Sequence, residues 1–127
     1  IFNVNGTGAT EVSGDRKSVG STRMAADFSF TTHEISSPVG AFVMLTDGIT
    51  DVMSPEEKPI AFGRRRVIKI LRESLEKTPS TIVKNIMRSV NLYRGDAPFR
   101  DDLTLLAFSL IEDDSEVSTV SVVGEDS

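Results

Sequence analysis

The feature that most constrains the fold is a pair of apolar stretches, the continuous run Ala41–Leu45 and the longer Leu103–Ile111. A continuous apolar run such as the first is typical of a strand that is buried on both faces. Asp47 follows the first run closely, and Asp101 and Asp102 directly precede the second. The sequence therefore predicts a central strand and a second long strand, each with carboxylates at one end.

Two amphipathic helices are predicted between these strands, over about 62–77 and 79–93. The second begins after Thr78, an N-cap residue that a proline follows at the first helical position. Both stretches place their apolar residues at helical spacing on one side. These residues are Val67, Ile68, Leu71 and Leu75 in the first helix, and Ile82, Val83, Ile86, Met87 and Val90 in the second.

The flanking segments carry weaker signals. Alternation around the Asn-Gly pair at 5–6 predicts a hairpin over about 2–12. Alternation at 28–35 predicts a half-buried strand, and a turn is expected at 36–40. We expect residues 1–111 to form one structural unit. Residues 112–127 are acidic and are predicted to be largely a mobile tail that holds at most one edge strand, at 117–123.

Composition excludes several classes of protein. The chain has no Cys and one His, so thiolate chemistry and a two-histidine metal motif are excluded. No apolar run approaches the roughly 20 residues that span a bilayer, so a cytoplasmic protein with no membrane segment is expected. Ten basic and three acidic residues lie within 64–100, with only two aromatic residues, Tyr93 and Phe99, among them. We therefore expect a solvated helix face and no nucleic-acid partner.

The carboxylates suggest a metal site. If the two apolar strands are antiparallel neighbours, Asp47 and Asp101 converge at one edge of the sheet. Two converging carboxylates repel each other unless a cation or a proton neutralises them, and Mg²⁺ or Mn²⁺ prefers such oxygen ligands. Gly48 would let the backbone approach an ion or a phosphate closely. Each motif alone is also an ordinary turn or cap, and spacing does not decide between the two interpretations.

Four segments in this order resemble a known family. They are Leu45–Asp51, Arg100–Leu106, the Phe62-Gly63 pair, and Gly14–Gly20 with the following 30–33. Together they resemble the metal-dependent PPM-type (PP2C-like) protein serine/threonine phosphatases, in the bacterial SpoIIE/RsbU-like branch. The resemblance covers about residues 1–111.

The resemblance implies an α+β fold, the αββα sandwich of two antiparallel sheets between helices. It implies two Mn²⁺ or Mg²⁺ ions and a metal-bound water that hydrolyses phosphoserine or phosphothreonine. Asp47 and Asp101 match metal ligands of that family. Asp102 and Gly48 are assigned supporting positions, and no catalytic residue is implied beyond the metal ligands.

The same resemblance implies partners. The expected substrate is a phosphorylated regulatory protein, such as a STAS-type anti-sigma-factor antagonist, in bacterial stress or sigma-factor partner-switching signalling. An upstream sensor or regulatory module is also implied. The sequence leaves it undecided whether the chain forms a homo-oligomer. Unpaired strand edges, which associate readily, would favour one.

Two departures from the family pattern leave an alternative open. The family's first half carries further acidic metal ligands, and no such segment precedes Phe2. We therefore expect an N-terminally incomplete domain that is inactive alone or holds only part of the metal-ligand set. Its usual Gly-Asp before the central strand is Gly40-Ala41 here. The alternative function is a catalytically inactive, phosphatase-like regulatory or binding module.

Haloacid-dehalogenase chemistry is excluded, because Leu45 occupies the position of its nucleophilic aspartate.

Overall fold

The structure is a computed structural model that describes residues 1–20, 25–35, 40–110 and, for the backbone, 115–122. The strands in these ranges are β1 Phe2–Asn5, β2 Gly8–Glu11, β3 Ala41–Leu45, β4 Leu103–Leu110 and β5 Ser115–Val122. The helices are α1 Asp47–Thr50, α2 Gly63–Arg72 and α3 Pro79–Arg94. The molecule is thus a small α+β structure, as predicted.

The strands form one antiparallel sheet in the order β2-β1-β3-β4-β5. β3 lies in the centre, which confirms the prediction from its continuous apolar run. Phe42 and Val43 are buried, although Met44 near the end of the strand is 39% exposed. The register places Leu45 of β3 opposite Leu105 of β4. As a result, the end of β3 lies beside the beginning of β4.

The predicted hairpin at the beginning of the chain is confirmed. β1 and β2 pair with Asn5 opposite Gly8, so two residues form the turn. The side-chain oxygen of Asn5 accepts hydrogen bonds from the Thr7 amide, at 2.9 Å, and from the Thr7 hydroxyl, at 2.6 Å. An asparagine that binds the backbone two residues ahead stabilises such a turn locally.

Helix α3 begins and ends where its sequence signals predict. Thr78 is the N-cap, and its hydroxyl accepts a hydrogen bond from the Thr81 amide at 3.3 Å. Pro79 follows as the first helical residue. At the other end Gly95 has a φ of 52°, a conformation that glycine adopts at little cost. No helix in the described ranges is both long enough and apolar enough to cross a membrane.

Helix α2 is shorter than predicted. The expected helix over 62–77 ends at Arg72, and residues 73–76 form a turn. Glu76 has a φ of 61°, which is incompatible with a continuing right-handed helix. The hydroxyl of buried Ser74 donates to the Ile70 carbonyl at 2.7 Å, a local bond that satisfies a carbonyl in the last turn.

A single hydrophobic core lies between one face of the sheet and the helices. Alternate strand residues face it, including Val4, Val43 and Leu105. The helices contribute the residues predicted from their spacing, with Ile68 and Met87 only partly buried. Leu75, which is also partly buried, lies in the turn after α2. The fully or largely buried helical members are Val67, Ile70, Leu71, Ile82, Val83, Ile86 and Val90.

The opposite face of the sheet is also apolar at its centre. Phe42 and Phe108 are cross-strand partners, and their rings stack at 5.4 Å between centroids. Met44 lies opposite Leu106 on the same face, and Met44 is 39% exposed. None of these side chains belongs to the hydrophobic core between the sheet and the helices. The described residues therefore form one sheet that is covered by helices on one side.

The strand predicted over 28–35 is wrong. Residues 25–35 form no strand, and all of them are exposed. Phe28 and Phe30 pack edge to face at 5.1 Å, and Thr31 donates to the Asp15 carboxylate through its amide at 2.6 Å and its hydroxyl at 3.0 Å. Alternation indicates a strand only where one face finds a buried partner, and here neither face does. The predicted turn lies mainly at 36–39, outside the described residues.

The edge strand predicted within the acidic segment is present and somewhat longer. β5 covers Ser115–Val122, and all eight of its residues are in register with β4. This stretch is a strand because its backbone pairs with a long neighbouring strand; the mobile tail expected for the rest of 112–127 stays a prediction. Residues 111–114 and 123–127 lie outside the described residues. The boundary at residue 111 between a structural unit and a tail stays a prediction.

We expect the core to depend strongly on the buried face of α3. Ile86 is 0% exposed, whereas Leu92 on the same helix is 78% exposed. Ile86→Ala should lower the free energy of unfolding by about 2–5 kcal/mol, because it removes apolar contacts and leaves a cavity. Leu92→Ala is the matched control and should change it by less than about 0.5 kcal/mol. Urea denaturation measures both; equal effects would contradict the assignment of the core face.

Candidate functional site

The candidate site lies where β3 ends and β4 begins. Beyond the last paired residues of β3, the Thr46 amide donates to the Thr104 carbonyl at 3.1 Å. In return, the Thr104 amide donates to the Thr46 hydroxyl at 3.2 Å. These two hydrogen bonds continue the contact between the strands by one residue. They hold the acidic segments that follow Thr46 and precede Thr104 at the same edge of the sheet.

Asp47 is the first residue of the short helix α1. Its carbonyl accepts a hydrogen bond from the Asp51 amide at 2.8 Å and one from the Thr50 hydroxyl at 3.1 Å. Its side chain is exposed, and within the described residues the carboxylate has neither a hydrogen bond nor an ion pair. The backbone of Asp47 is thus fixed by the helical turn, while both carboxylate oxygens are accessible.

Gly48 is buried where α1 contacts the start of β4. A Cβ at this position would lie 2.0 Å from the Asp102 carbonyl oxygen and 3.1 Å from a methyl group of Leu103. Real Cβ atoms do not approach a carbonyl this closely, so any side chain would push the two segments apart. The role assigned to Gly48 from the sequence was close approach to an ion or a phosphate. The structure shows close approach to the backbone of the second acidic motif.

Asp101 and Asp102 are both exposed and precede β4. The Asp101 carboxylate accepts a hydrogen bond from the Asp102 amide at 2.8 Å, which stabilises a local turn. Since the Asp102 backbone contacts Gly48, Asp47 and Asp101 are each one residue away from that contact. The predicted antiparallel pairing of the two apolar strands is confirmed. Metal ligation by Asp47 and Asp101 stays a prediction.

The chemistry of the site suits a hard divalent cation in part. Exposed carboxylates supply the oxygen donors that Mg²⁺ and Mn²⁺ prefer, and Mg²⁺ usually keeps several waters. In the described residues, however, no group of three or more His, Cys, Asp or Glu residues is arranged to hold a metal ion. Two exposed carboxylates alone would hold such a cation only weakly. A tightly bound structural metal would need more protein ligands.

Sequence reasoning missed two features of this edge. The helix α1 was not predicted, because four residues are too few to show a periodicity. The paired hydrogen bonds of Thr46 and Thr104 were not anticipated either. The signal that could have found them is a threonine immediately before Asp47 and another just after the Asp101-Asp102 pair.

The basic segment at 64–100 does not contribute to this edge as a continuous patch. Its lysine and arginine side chains are exposed, except that Arg94 is half-buried. Arg64 forms an ion pair with Glu11 at 3.1 Å. This distribution is the one expected of solvated helix faces, and the absence of a nucleic-acid partner stays a prediction.

Comparison with known families identifies the chain's relatives. The family model described as Stage II sporulation protein E (SpoIIE) matches residues 16–111. The matched range contains β3, α1, α2, α3, β4 and both acidic motifs. No curated protein and no solved structure matched the chain significantly. The match is to a phosphatase-related domain of the PPM type, in agreement with the resemblance found in the sequence motifs.

The close approach at Gly48 can be tested by adding a single methyl group. Gly48→Ala should lower the free energy of unfolding by about 1–3 kcal/mol, because the new Cβ overlaps the Asp102 carbonyl oxygen. Gly14→Ala is the matched control, since no heavy atom lies within 4 Å of a Cβ built at Gly14. It should change that free energy by less than about 1 kcal/mol. Denaturation curves that coincide for the two variants would show that the contact is not tight.

Proposed function

Because the chain belongs to the SpoIIE family, we propose that it is a metal-dependent protein serine/threonine phosphatase domain. The single observation that carries the proposal is the contact between Gly48 and the Asp102 carbonyl. This contact brings two acidic motifs that are far apart in the sequence to one edge of the sheet. Both motifs lie within the range that matches the family. The proposed substrate is phosphoserine or phosphothreonine in a regulatory protein.

In this proposal Asp47 and Asp101 hold a Mn²⁺ or Mg²⁺ ion. When bound, such an ion polarises a phosphoryl oxygen and activates water for attack on phosphorus. The chain's own contribution is to position the two carboxylates: α1 fixes the backbone of Asp47, and Gly48 allows the first motif to approach the second. Asp102 fixes the turn before β4, since its amide is bound by the Asp101 carboxylate.

Two carboxylates are fewer than a two-ion phosphatase site needs. The remaining ligands would come from a segment other than the motifs at 45–51 and 100–106. The site described here is therefore proposed as one half of a metal centre, and weak metal binding is expected from it alone. This is consistent with the absence of a larger acidic cluster among the described residues.

The second part of the proposal concerns the uncovered face of the sheet. The family resemblance implies an αββα sandwich, in which a second sheet packs on the first. The stacked Phe42–Phe108 pair and the partly exposed Met44 form an apolar centre on the face away from the helices. An apolar sheet face of this kind is stabilised when another apolar layer covers it. We propose that the second sheet of the sandwich packs there.

Partners follow from the family resemblance. We propose that the substrate is a phosphorylated regulator such as a STAS-type anti-sigma-factor antagonist, within bacterial stress or sigma-factor partner switching. An upstream sensor or regulatory module would control the phosphatase domain. Such a pathway operates in the cytoplasm, and the proposal places the chain there. Self-association into a homo-oligomer is a further part of the proposal.

A second candidate function is a phosphatase-like module that binds a partner without catalysis. One observation favours it: no group of three or more potential metal ligands occurs among the described residues. Against it stand the exposed carboxylates of Asp47 and Asp101, since a binding module has no need of two exposed carboxylates at one edge. Metal-dependent turnover distinguishes the two functions.

The phosphatase proposal predicts a large effect of neutralising either carboxylate. In a longer protein that joins this chain to the remaining metal ligands, Asp47→Asn and Asp101→Asn should each lower Mn²⁺-dependent kcat/KM for p-nitrophenyl phosphate by about a hundredfold or more, because a ligand of the activating cation is lost. Calorimetric titration should show weak Mn²⁺ binding that Asp47→Asn abolishes. Urea denaturation should show that both variants stay folded.

The matched control is Asp27→Asn, which neutralises an exposed aspartate that the proposal gives no role. It should leave Mn²⁺ binding and turnover as they are. Undiminished turnover in both site variants would refute the ligand assignment. Mn²⁺ binding without turnover in the unmodified longer protein would favour the non-catalytic module.

A further inference from the structure

A cavity opens directly beside the second acidic motif. It has a volume of about 380 Å³ and lies between the loop at 53–59 and the loop at 96–100. Arg100 lines it, and Arg100 is the residue immediately before Asp101. Neighbouring Cα atoms are about 3.8 Å apart, so the cavity adjoins the proposed metal-binding edge. Its volume lies near the lower end of the range of ligand pockets, about 300–1,000 Å³.

The walls of the cavity are mostly apolar. Five of the nine lining residues have apolar side chains: Met53, Pro55, Pro59, Ala97 and Pro98. Three of these are prolines, which have no backbone N–H and little conformational freedom. A bound segment would therefore contact the walls mainly through side chains and would not form a strand with them.

The first wall is held in place by the end of α3. Tyr93 donates a hydrogen bond from its hydroxyl to the Ile60 carbonyl at 2.8 Å. The Arg66 guanidinium lies 4.6 Å from the centre of the Tyr93 ring and donates to the Phe62 carbonyl at 3.0 Å. Buried Ser54 accepts from the Ile60 amide at 2.9 Å, which closes the loop on itself. The loop is thus formed before any ligand arrives.

The second wall is held by the next residue of the same helix. The Arg94 guanidinium lies 4.1 Å from the centre of the Phe99 ring and donates to the Ala97 carbonyl at 3.1 Å. The Ala97 amide donates to the Arg94 carbonyl at 2.8 Å. The two walls meet at Gly95, where an added Cβ would lie 3.4 Å from the ring of Pro55. A preformed pocket loses less entropy on binding than a flexible one.

The charges around the cavity are arranged asymmetrically. Arg100 is its only basic lining residue, and within the described residues it forms neither a hydrogen bond nor an ion pair. Glu56 and Asp96 are the acidic lining residues, and Glu56 accepts the hydroxyl hydrogen bond of Ser54. The guanidinium beside Asp101 can bind a phosphate through paired hydrogen bonds. The two carboxylates disfavour an acidic side chain in the cavity.

We propose that this cavity, the proline-walled pocket, binds the residue of a phosphoprotein substrate that adjoins the phosphoserine. The occupant is an apolar side chain, and Arg100 contacts the phosphate next to it. The inference rests on the proposed phosphatase function, because it takes the occupant to be a segment of that enzyme's substrate. It adds a specificity determinant: phosphoserine next to an apolar residue is preferred over phosphoserine next to glycine.

The test measures binding and does not depend on turnover. Fluorescence anisotropy is recorded for three labelled ten-residue peptides: phosphoserine next to leucine, phosphoserine next to glycine, and unphosphorylated serine next to leucine. The phosphorylated leucine peptide should bind about tenfold more tightly than the glycine peptide, because the pocket walls bury the leucine side chain. It should also bind about tenfold more tightly than its unphosphorylated counterpart, because Arg100 binds the phosphate.

Three variants probe the pocket and its arginine, and two variants at exposed positions serve as controls. Ala97→Arg should abolish the preference for leucine by filling the pocket, and Pro98→Ser, which adds no bulk, should reduce it. Leu92→Arg adds the same side chain at a site that is 78% exposed and should keep the preference. Arg100→Ala should abolish the preference for phosphate, whereas Arg65→Ala, at an exposed position of α2, should keep it. Urea denaturation of each variant establishes that it is folded.

The outcomes separate this proposal from the proposed function. Equal affinity for the leucine and glycine peptides overturns the pocket, and so does no binding of any peptide up to about 1 mM. A leucine preference that survives both Ala97→Arg and Pro98→Ser also overturns it. Intact preferences, together with no Mn²⁺-dependent hydrolysis of the peptides or of p-nitrophenyl phosphate by the longer protein that supplies the remaining metal ligands, refute the phosphatase function and leave the pocket supported as a phosphopeptide-binding site.

Discussion

The pairing of β3 with β4 is the interaction on which the rest of the structure depends. β3 lies in the centre of the sheet, and β4 joins it to the edge strand β5. The segment between β3 and β4 forms all three helices of the part of the chain that the structure describes. Closing a long loop of this kind costs conformational entropy, which the buried residues of the strands and helices must offset. Val43 and Leu105, both 0% exposed, lie at the centre of that buried surface.

The same pairing creates the candidate site as a geometric consequence. In an antiparallel pair the end of one strand meets the start of the other, so the residues after β3 and before β4 are neighbours wherever the register holds. The Thr46–Thr104 hydrogen bonds extend the register, and Gly48 permits contact where a side chain would prevent it. Few interactions within the site itself are therefore needed to position the two acidic motifs. Their positions are set by the paired strands and the hydrophobic core of the sheet.

Features of the fold that depend on neighbouring residues were predicted from the sequence better than features that depend on long-range contacts. Helix α3 was predicted well because Thr78, Pro79 and Gly95 define its ends by local backbone chemistry. The hairpin was predicted for the same reason, since the Asn5 side chain forms the turn with its own neighbours. The strand over 28–35 was predicted wrongly, because alternation says nothing about whether a partner strand exists. Edge strand β5 was underestimated, because its order comes from β4 and its own sequence is a weak signal.

The candidate site was likewise predictable only in part from the sequence. Asp47 and Asp101 were found because each adjoins an apolar strand, and antiparallel pairing of those strands is a simple hypothesis that the register confirms. The contact of Gly48 with the Asp102 carbonyl was beyond sequence reasoning, since it depends on how α1 turns after β3. The side-chain contacts around the cavity were also beyond it. They join residues from three separate segments, and only the packed structure places those segments together.

One helix connects the core to both walls of the cavity. The buried face of α3 packs against the sheet through residues such as Ile86 and Val90. Its last turn carries Tyr93, which binds the first loop, and Arg94, which binds the second. Any rotation of α3 that exposed its buried face would move both loops together, and the second loop leads directly into Asp101. The stability of the core and the shape of the proposed site are therefore coupled through a single rigid element, and a mutation that loosens α3 in the core would alter the site without touching it.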